Sequence, residues 1–153
     1  MIKIIAIGKI KEKPMQALIQ EFEKRLKPIH KVETIELNNS LKPEHEIDSV
    51  KEDEGQRILA KIAPKDFVIL LELKGDDHSS PAMAQILGDK LDAGINVVFV
   101  IGGSHGVSET IKARANKLWR ISNLTFPHQL VRLMLIEQIY RMFMIQKNHP
   151  YHK

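Results

Sequence analysis

Two stretches of the chain, residues 67–73 and Val97–Ile101, are apolar almost without a break. Runs of this kind suit strands covered on both faces, as in a parallel sheet. Ile2–Ile7 is apolar apart from Lys3 and predicts a third such strand. Val32–Leu37 instead alternates, with Val32, Thr34 and Glu36 on one face and Glu33, Ile35 and Leu37 on the other, the mark of an edge strand with mixed faces. A short fifth strand is predicted over residues 118–121.

Between the strands the apolar spacing changes to three and four. Leu18, Ile19, Phe22 and Leu26 predict a helix over 14–27, and Pro14 suits its first turn. Ile47, Val50, Ile58, Leu59 and Ile62 are the apolar positions of a charged helix over 44–62. Ser80 is the expected N-cap of a helix running to Asp92 and closed by Gly94. Ser108 and Glu109 open a short helix, and 129–147 is the longest and most apolar. Strands alternating with helices imply an α/β fold, a mainly parallel sheet sandwiched by helices. No repeat, linker or low-complexity segment divides it, so 1–153 reads as one domain.

Composition narrows this only a little. A chain of 153 residues with 43% hydrophobic and 27% charged residues is an ordinary globular balance, long enough to bury a core. It contains no cysteine, which removes disulfides and thiolate metal sites and fits a cytoplasmic location. The apolar start is too short for a signal-peptide core, and no apolar stretch reaches the length of a membrane span. The net charge of +4 is compatible with a nucleic-acid partner without establishing one.

Four regions could carry chemistry. Ile101-Gly102-Gly103-Ser104-His105-Gly106 follows a buried strand and opens a helix, the place where α/β sheets bind ligands. An ordinary tight turn accounts for it equally well. It is neither a dinucleotide fingerprint nor a P-loop, because its glycines are at 102, 103 and 106 and no Lys-Ser/Thr pair follows. Residues Ile121, Ser122, Asn123, Leu124, Thr125 and Phe126 combine apolar walls with short polar groups, suited to a flat heterocycle or to a plain loop stiffened by Pro127. The last helix is apolar nearly all round, so either a partner subunit or the rest of the chain must cover it. Arg132 and Arg141 lie in that setting, and Glu137 is one turn from Arg141. The tail through His149, Tyr151, His152 and Lys153 is either a frayed end or a set of RNA contacts. Pro150 works against His149 and His152 converging, and no histidine forms a metal motif, so no metal is expected. The acidic run Glu52-Asp53-Glu54 and the basic run from Lys9 to Lys13 read as solvated faces.

Several of these segments together resemble a known family. Ile5-Ala6-Ile7-Gly8, Glu54-Gly55-Gln56-Arg57-Ile58-Leu59-Ala60, Phe99-Val100-Ile101-Gly102-Gly103-Ser104, Thr125-Phe126-Pro127-His128-Gln129, Ile136-Glu137-Gln138-Ile139-Tyr140 and Tyr151-His152-Lys153 are similar to the bacterial 23S ribosomal RNA pseudouridine N3-methyltransferases of the SPOUT superfamily. The resemblance covers nearly the whole chain. It implies a C-terminal trefoil knot, a homodimer, S-adenosylmethionine as methyl donor and 23S rRNA within the ribosome as partner. It places the cofactor against Leu71, Gly102, Ile121, Ser122, Asn123, Leu124, Thr125 and Phe126. His128 is then the candidate proton acceptor, Arg132 a stabiliser of developing charge, and Tyr151 and His152 candidates to hold the base or phosphates. Two rivals stand beside it. A flavodoxin-like nucleotide-binding domain would need a phosphate cradle after the first strand, where Gly8-Lys9-Ile10-Lys11 is a poor one. A ribosome-associated factor without catalysis would need no intact glycine turn.

Overall fold

The computed structural model describes residues 1–153. Five strands, β1 (Ile2–Ile7), β2 (Val32–Leu37), β3 (Phe67–Asp77), β4 (Val97–Ile101) and β5 (Lys117–Arg120), form one sheet. Its order is β2-β1-β4-β3-β5 and every pairing is parallel. Five helices alternate with them: α1 (Lys13–Leu26), α2 (Ile47–Leu59), α3 (Ser80–Asp92), α4 (Glu109–Arg114) and α5 (His128–Gln146).

The side-chain alternation of the strands builds two cores. Ile2, Ile4, Ala6, Ile69, Val97, Phe99, Ile101 and Trp119 point to the face covered by α1, α3 and α5. Ile5, Ile7, Val68, Leu70, Val98 and Val100 point to the other, where Ile58 of α2 and Ile111 of α4 meet them. All five residues of β4 are buried, which is why its sequence shows no alternation. β2 lies at an edge, as its mixed pattern requires.

Helices α1 and α5 each begin and end one residue earlier than the sequence pattern predicts, and four other elements depart from expectation in informative ways. α2 is shorter, Ile47–Leu59, because the chain turns at Pro43 and again after Ala60. The N-cap of α3 is Ser79, whose Oγ accepts the Ala82 N–H at 3.2 Å; Ser80 lies inside the helix and donates its hydroxyl to Gln138 on α5 at 2.6 Å. β5 begins and ends one residue early. β3 runs on to Asp77, with a bulge that pairs both Leu71 and Asp76 with Trp119. Gly75 makes that bulge possible, since a Cβ there would lie 2.7 Å from the Leu118 backbone.

The direction in which the chain leaves each strand fixes where a ligand can sit. β3 feeds α3 on one face, while β4 feeds α4 on the other. A crevice therefore opens between their carboxyl ends, as in other open α/β sheets.

Candidate active site

At that crevice lies a cavity of about 240 Å³. Leu71, Glu72 and Leu73 supply one wall from the end of β3, and Ile101 to Ser104, Gly106 and Val107 supply the turn after β4. Trp119, Arg120, Ile121, Ser122, Leu124, Thr125 and Phe126 follow from β5 and its loop, and His128 and Val131 close it from the start of α5. The two segments singled out in the sequence are thus parts of one site.

The glycines are demanded by space. A side chain on Gly102 would collide with Val107, and one on Gly103 with the Glu54 carboxylate. Gly106 sits at φ +89°, a left-handed conformation that glycine adopts without penalty. The turn closes through the Gly106 N–H donating to the Gly103 carbonyl at 3.0 Å. Ser108 then caps α4, its Oγ accepting the Ile111 N–H. In the second segment the Ser122 hydroxyl accepts the Leu124 N–H at 3.0 Å and shapes the loop.

His128 is half-buried at the first position of α5. Burial pushes its pKa below the ordinary value near 6.5, while the Glu54 charge and the Gly102 carbonyl pull the other way. The imidazole is therefore biased towards its neutral, proton-accepting form. Across the cavity Arg120 is clamped by Asp77, with its Nε and Nη2 donating at 2.8 and 2.6 Å, and it also donates to Asn123. That pairing raises the Arg120 pKa and lowers that of Asp77.

The expected site residues do not all converge. Leu71, Gly102, Ile121, Ser122, Leu124, Thr125, Phe126 and His128 line the cavity; Asn123 does not, and instead braces Arg120 from outside. Arg132 is 9% exposed and paired with Glu36 on the edge strand, away from the cavity wall. Tyr151 and His152 are neither frayed nor near His128 in the same chain. The Tyr151 hydroxyl donates to Glu137 at 2.9 Å, and His152 Nδ1 meets Arg141 at 3.2 Å. Arg141 also donates to Glu137 through Nε and Nη2 and lies over the Tyr151 ring. This network is about two and a half to three and a half helical turns past His128, roughly 14–20 Å along α5 at 1.5 Å per residue.

Sequence reasoning missed Glu72, Arg120 and Trp119, which only the β3–β5 pairing brings to the site. It also misread Glu54, which is 4% exposed rather than a solvated charge. A signal was present in Gly55. Glycine inside a helix marks a close approach, and a Cβ there would lie 2.5 Å from the Ser108 Oγ.

No group of three or more His, Cys, Asp or Glu side chains is placed to hold a metal ion, and no helix is long and apolar enough to cross a membrane. A parallel α/β sheet with a glycine turn, a mixed apolar–polar loop and a half-buried histidine around one crevice at the strands' carboxyl ends is an α/β domain with one candidate ligand site. Residues 1–152 match the family model described as "Predicted SPOUT methyltransferase", and the chain belongs to that family. Members of this family generally use S-adenosylmethionine. The cavity suits that molecule: apolar side chains from Leu71, Ile101, Ile121, Leu124 and Phe126 can flank an adenine, and backbone laid bare by Gly102 and Gly103 can approach it closely.

Proposed function

We propose that this protein methylates N3 of a pseudouridine in a hairpin loop of 23S ribosomal RNA, on assembled ribosomes in the cytoplasm, with S-adenosylmethionine as donor. The observation that carries the reading is the single cavity joining the glycine turn, the 121–126 loop and His128. The substrate comes from the sequence resemblance, which spans the glycine turn, the start of α5 and the tail.

S-adenosylmethionine, when bound, supplies an electrophilic methyl carbon. Leu71, Gly102 and the 121–126 loop hold and orient it, and orientation is the largest contribution such a displacement can draw on. The N3 proton must leave, and His128 is placed to accept it at a ring nitrogen. General-base assistance of this kind is worth about 10²–10⁴-fold. Arg120, fixed by Asp77, offers positive charge on the opposite wall. Arg132 does not act on the substrate in this reading; its pairing with Glu36 anchors α5.

The protein works as a homodimer. Leu18 is 50% exposed, and with Phe22, Leu133 and Met134 it lines an apolar groove that shares Trp119 and Ile121 with the cavity. A second copy seated on this groove would cover the open side of α5 and lie beside the active site. Only that arrangement lets Tyr151 and His152 serve a cavity, since their own His128 is too far away. The C-terminal trefoil knot belongs to the same proposal, supported by the way the 102–107 and 121–126 segments enclose one cavity.

A loop target fits the chemistry, because unstacked bases are the usual objects of sequence-specific RNA recognition. The modest charge of +4 argues for a shaped surface over naked RNA. The test is methyl transfer from labelled S-adenosylmethionine to ribosomes lacking this modification, with naked 23S RNA alongside. Label at pseudouridine N3 in the ribosomes alone is expected. No label in either sample, with the cofactor bound, would overturn the substrate.

A further inference from the structure

The cavity wall carries two charged side chains, Glu72 from β3 and Arg120 from the end of β5; apart from His128, every other residue on it is uncharged. Glu72 follows Leu71 and Arg120 follows Trp119, and Leu71 and Trp119 are partners in register on adjacent parallel strands. Such strands lie about 4.8 Å apart, so the two opposite charges leave the sheet from neighbouring points on one rim. They do not pair with each other. Glu72 accepts the Lys74 N–H through Oε1 at 3.4 Å, which leaves Oε2 without a protein partner. Arg120 donates to both oxygens of Asp77, from Nε at 2.8 Å and from Nη2 at 2.6 Å, and Nη1 donates to the Asn123 side chain. A guanidinium has five N–H groups; these bonds engage three of them, which leaves two. Asp77 is 68% exposed, and an ion pair so open to water adds little to stability. Its effect is to hold a long, flexible cation in one place, so that an arriving anion does not have to order it.

We infer that Arg120 and Glu72 form the subsite for the amino-acid end of the cofactor: Arg120 takes its carboxylate with the two remaining N–H groups, and Glu72 takes its ammonium. The inference rests on the reading that the cavity binds S-adenosylmethionine. That molecule is an adenosine joined through sulfur to a zwitterion with one carboxylate and one ammonium. The apolar side chains and the bare glycine backbone suit the adenosine, but they offer the zwitterion no counter-charge. Arg120 and Glu72 supply one charge of each sign. Guanidinium and carboxylate meet through parallel N–H···O bonds, which are stronger than neutral ones. Asp77 and Asn123 then act through Arg120 as positioning residues, which accounts for Asn123 standing outside the cavity wall. An RNA phosphate would use the same donors, so the two anions must be separated by experiment.

The test is calorimetric binding of two nucleosides to the intact protein in the absence of RNA. S-adenosylhomocysteine and 5′-methylthioadenosine share the adenosine and a neutral sulfur, and only the first carries the amino-acid end. Arg120→Gln is expected to weaken S-adenosylhomocysteine about ten- to a hundredfold and to leave methylthioadenosine within about twofold, because a charge-assisted pair is lost for the first ligand alone. Glu72→Gln is expected to show the same selectivity with a smaller loss, about three- to tenfold. Equal weakening of both ligands by Arg120→Gln would mean that Arg120 merely shapes the 121–126 loop, and overturns the inference. Unchanged affinity for both also overturns it, and leaves Arg120 to a phosphate. If Arg120→Gln does not fold, Arg120→Lys replaces it, keeping the charge without the fork. A loss confined to S-adenosylhomocysteine then supports the inference, and an equal loss or none overturns it. Failure of the cofactor reading shows separately, as an unsubstituted protein that binds neither nucleoside, and takes the inference with it.

Discussion

The two ends of α5 carry similar residues arranged to opposite effect. At the C-terminal end, Glu137 accepts hydrogen bonds from Arg141 and Tyr151, and Arg141 reaches His152 as well. At the N-terminal end, His128 has a depressed pKa and Glu54 an unpartnered oxygen. A satisfied polar network fixes a structure, because every group would lose something by moving. An unpartnered carboxylate oxygen, kept in place by close packing against Gly103, leaves its end of the helix without that restraint. The Arg132–Glu36 pair between them belongs with the satisfied kind. The contrast explains why Arg132, one turn from His128, is better read as an anchor than as a catalytic group.

The contrast can be broken at several points, beginning with the anchor. Arg132→Ala removes one partner of a largely buried pair. Breaking such pairs costs about 3–5 kcal/mol when both are buried. Glu36 remains a third exposed, so the expected loss is about 2–3 kcal/mol in urea unfolding, with cofactor affinity retained. A tenfold loss of cofactor affinity in a folded Arg132→Ala would place Arg132 in the site after all.

Gly102→Ala probes the unsatisfied end. The new methyl collides with Val107 in the cavity wall, and overpacking of this kind costs about 1–3 kcal/mol. Because the collision is at the ligand site, the expected readout is S-adenosylmethionine binding weakened about ten- to a hundredfold by calorimetry. Unchanged affinity would move the cofactor elsewhere.

Tyr151→Phe deletes one donor from the satisfied network and leaves Glu137 with both Arg141 bonds. About 1 kcal/mol of stability is expected to go. A loss of turnover in the same variant, with cofactor affinity unchanged, would support the tail entering a partner's site.

The smallest effect is on the pH dependence of folding. His128 and His30 both have pKa values below the ordinary 6.5, chiefly from burial. Below that value the unfolded chain binds more protons than the folded one, so stability is full above about pH 6.5 and falls as pH drops through the folded pKa values. His128→Asn should flatten part of this decline in unfolding curves measured from neutral to mildly acidic pH, with His30 responsible for the remainder. An identical decline in the variant would mean that His128 is not depressed.

Much of this was legible in the sequence, for identifiable reasons. The apolar runs at Val97–Ile101 and in β3 gave their strands because burial on both faces leaves no other pattern. The glycine turn and the 121–126 loop were each visible in the residue pattern, but their convergence was implied only by the family resemblance, since it depends on β5 pairing beside β3. Helix-capping preference could not separate Ser79 from Ser80, because both residues are serine and only the distant Gln138 claims one of them. Glu54 looked like one charge among three in a row, and only the packing of α2 against the turn separates it from its more exposed neighbours. Arg132 was read as a reactive neighbour of His128 because Glu36 is 96 residues away in sequence.

The central claim is that the unsatisfied end of α5 is where the chemistry happens. Its most direct test is the single-turnover rate of methyl transfer to assembled ribosomes by His128→Ala at saturating S-adenosylmethionine. The account predicts a fall of about a hundredfold or more with the cofactor still bound. A rate equal to that of the unsubstituted protein would contradict it.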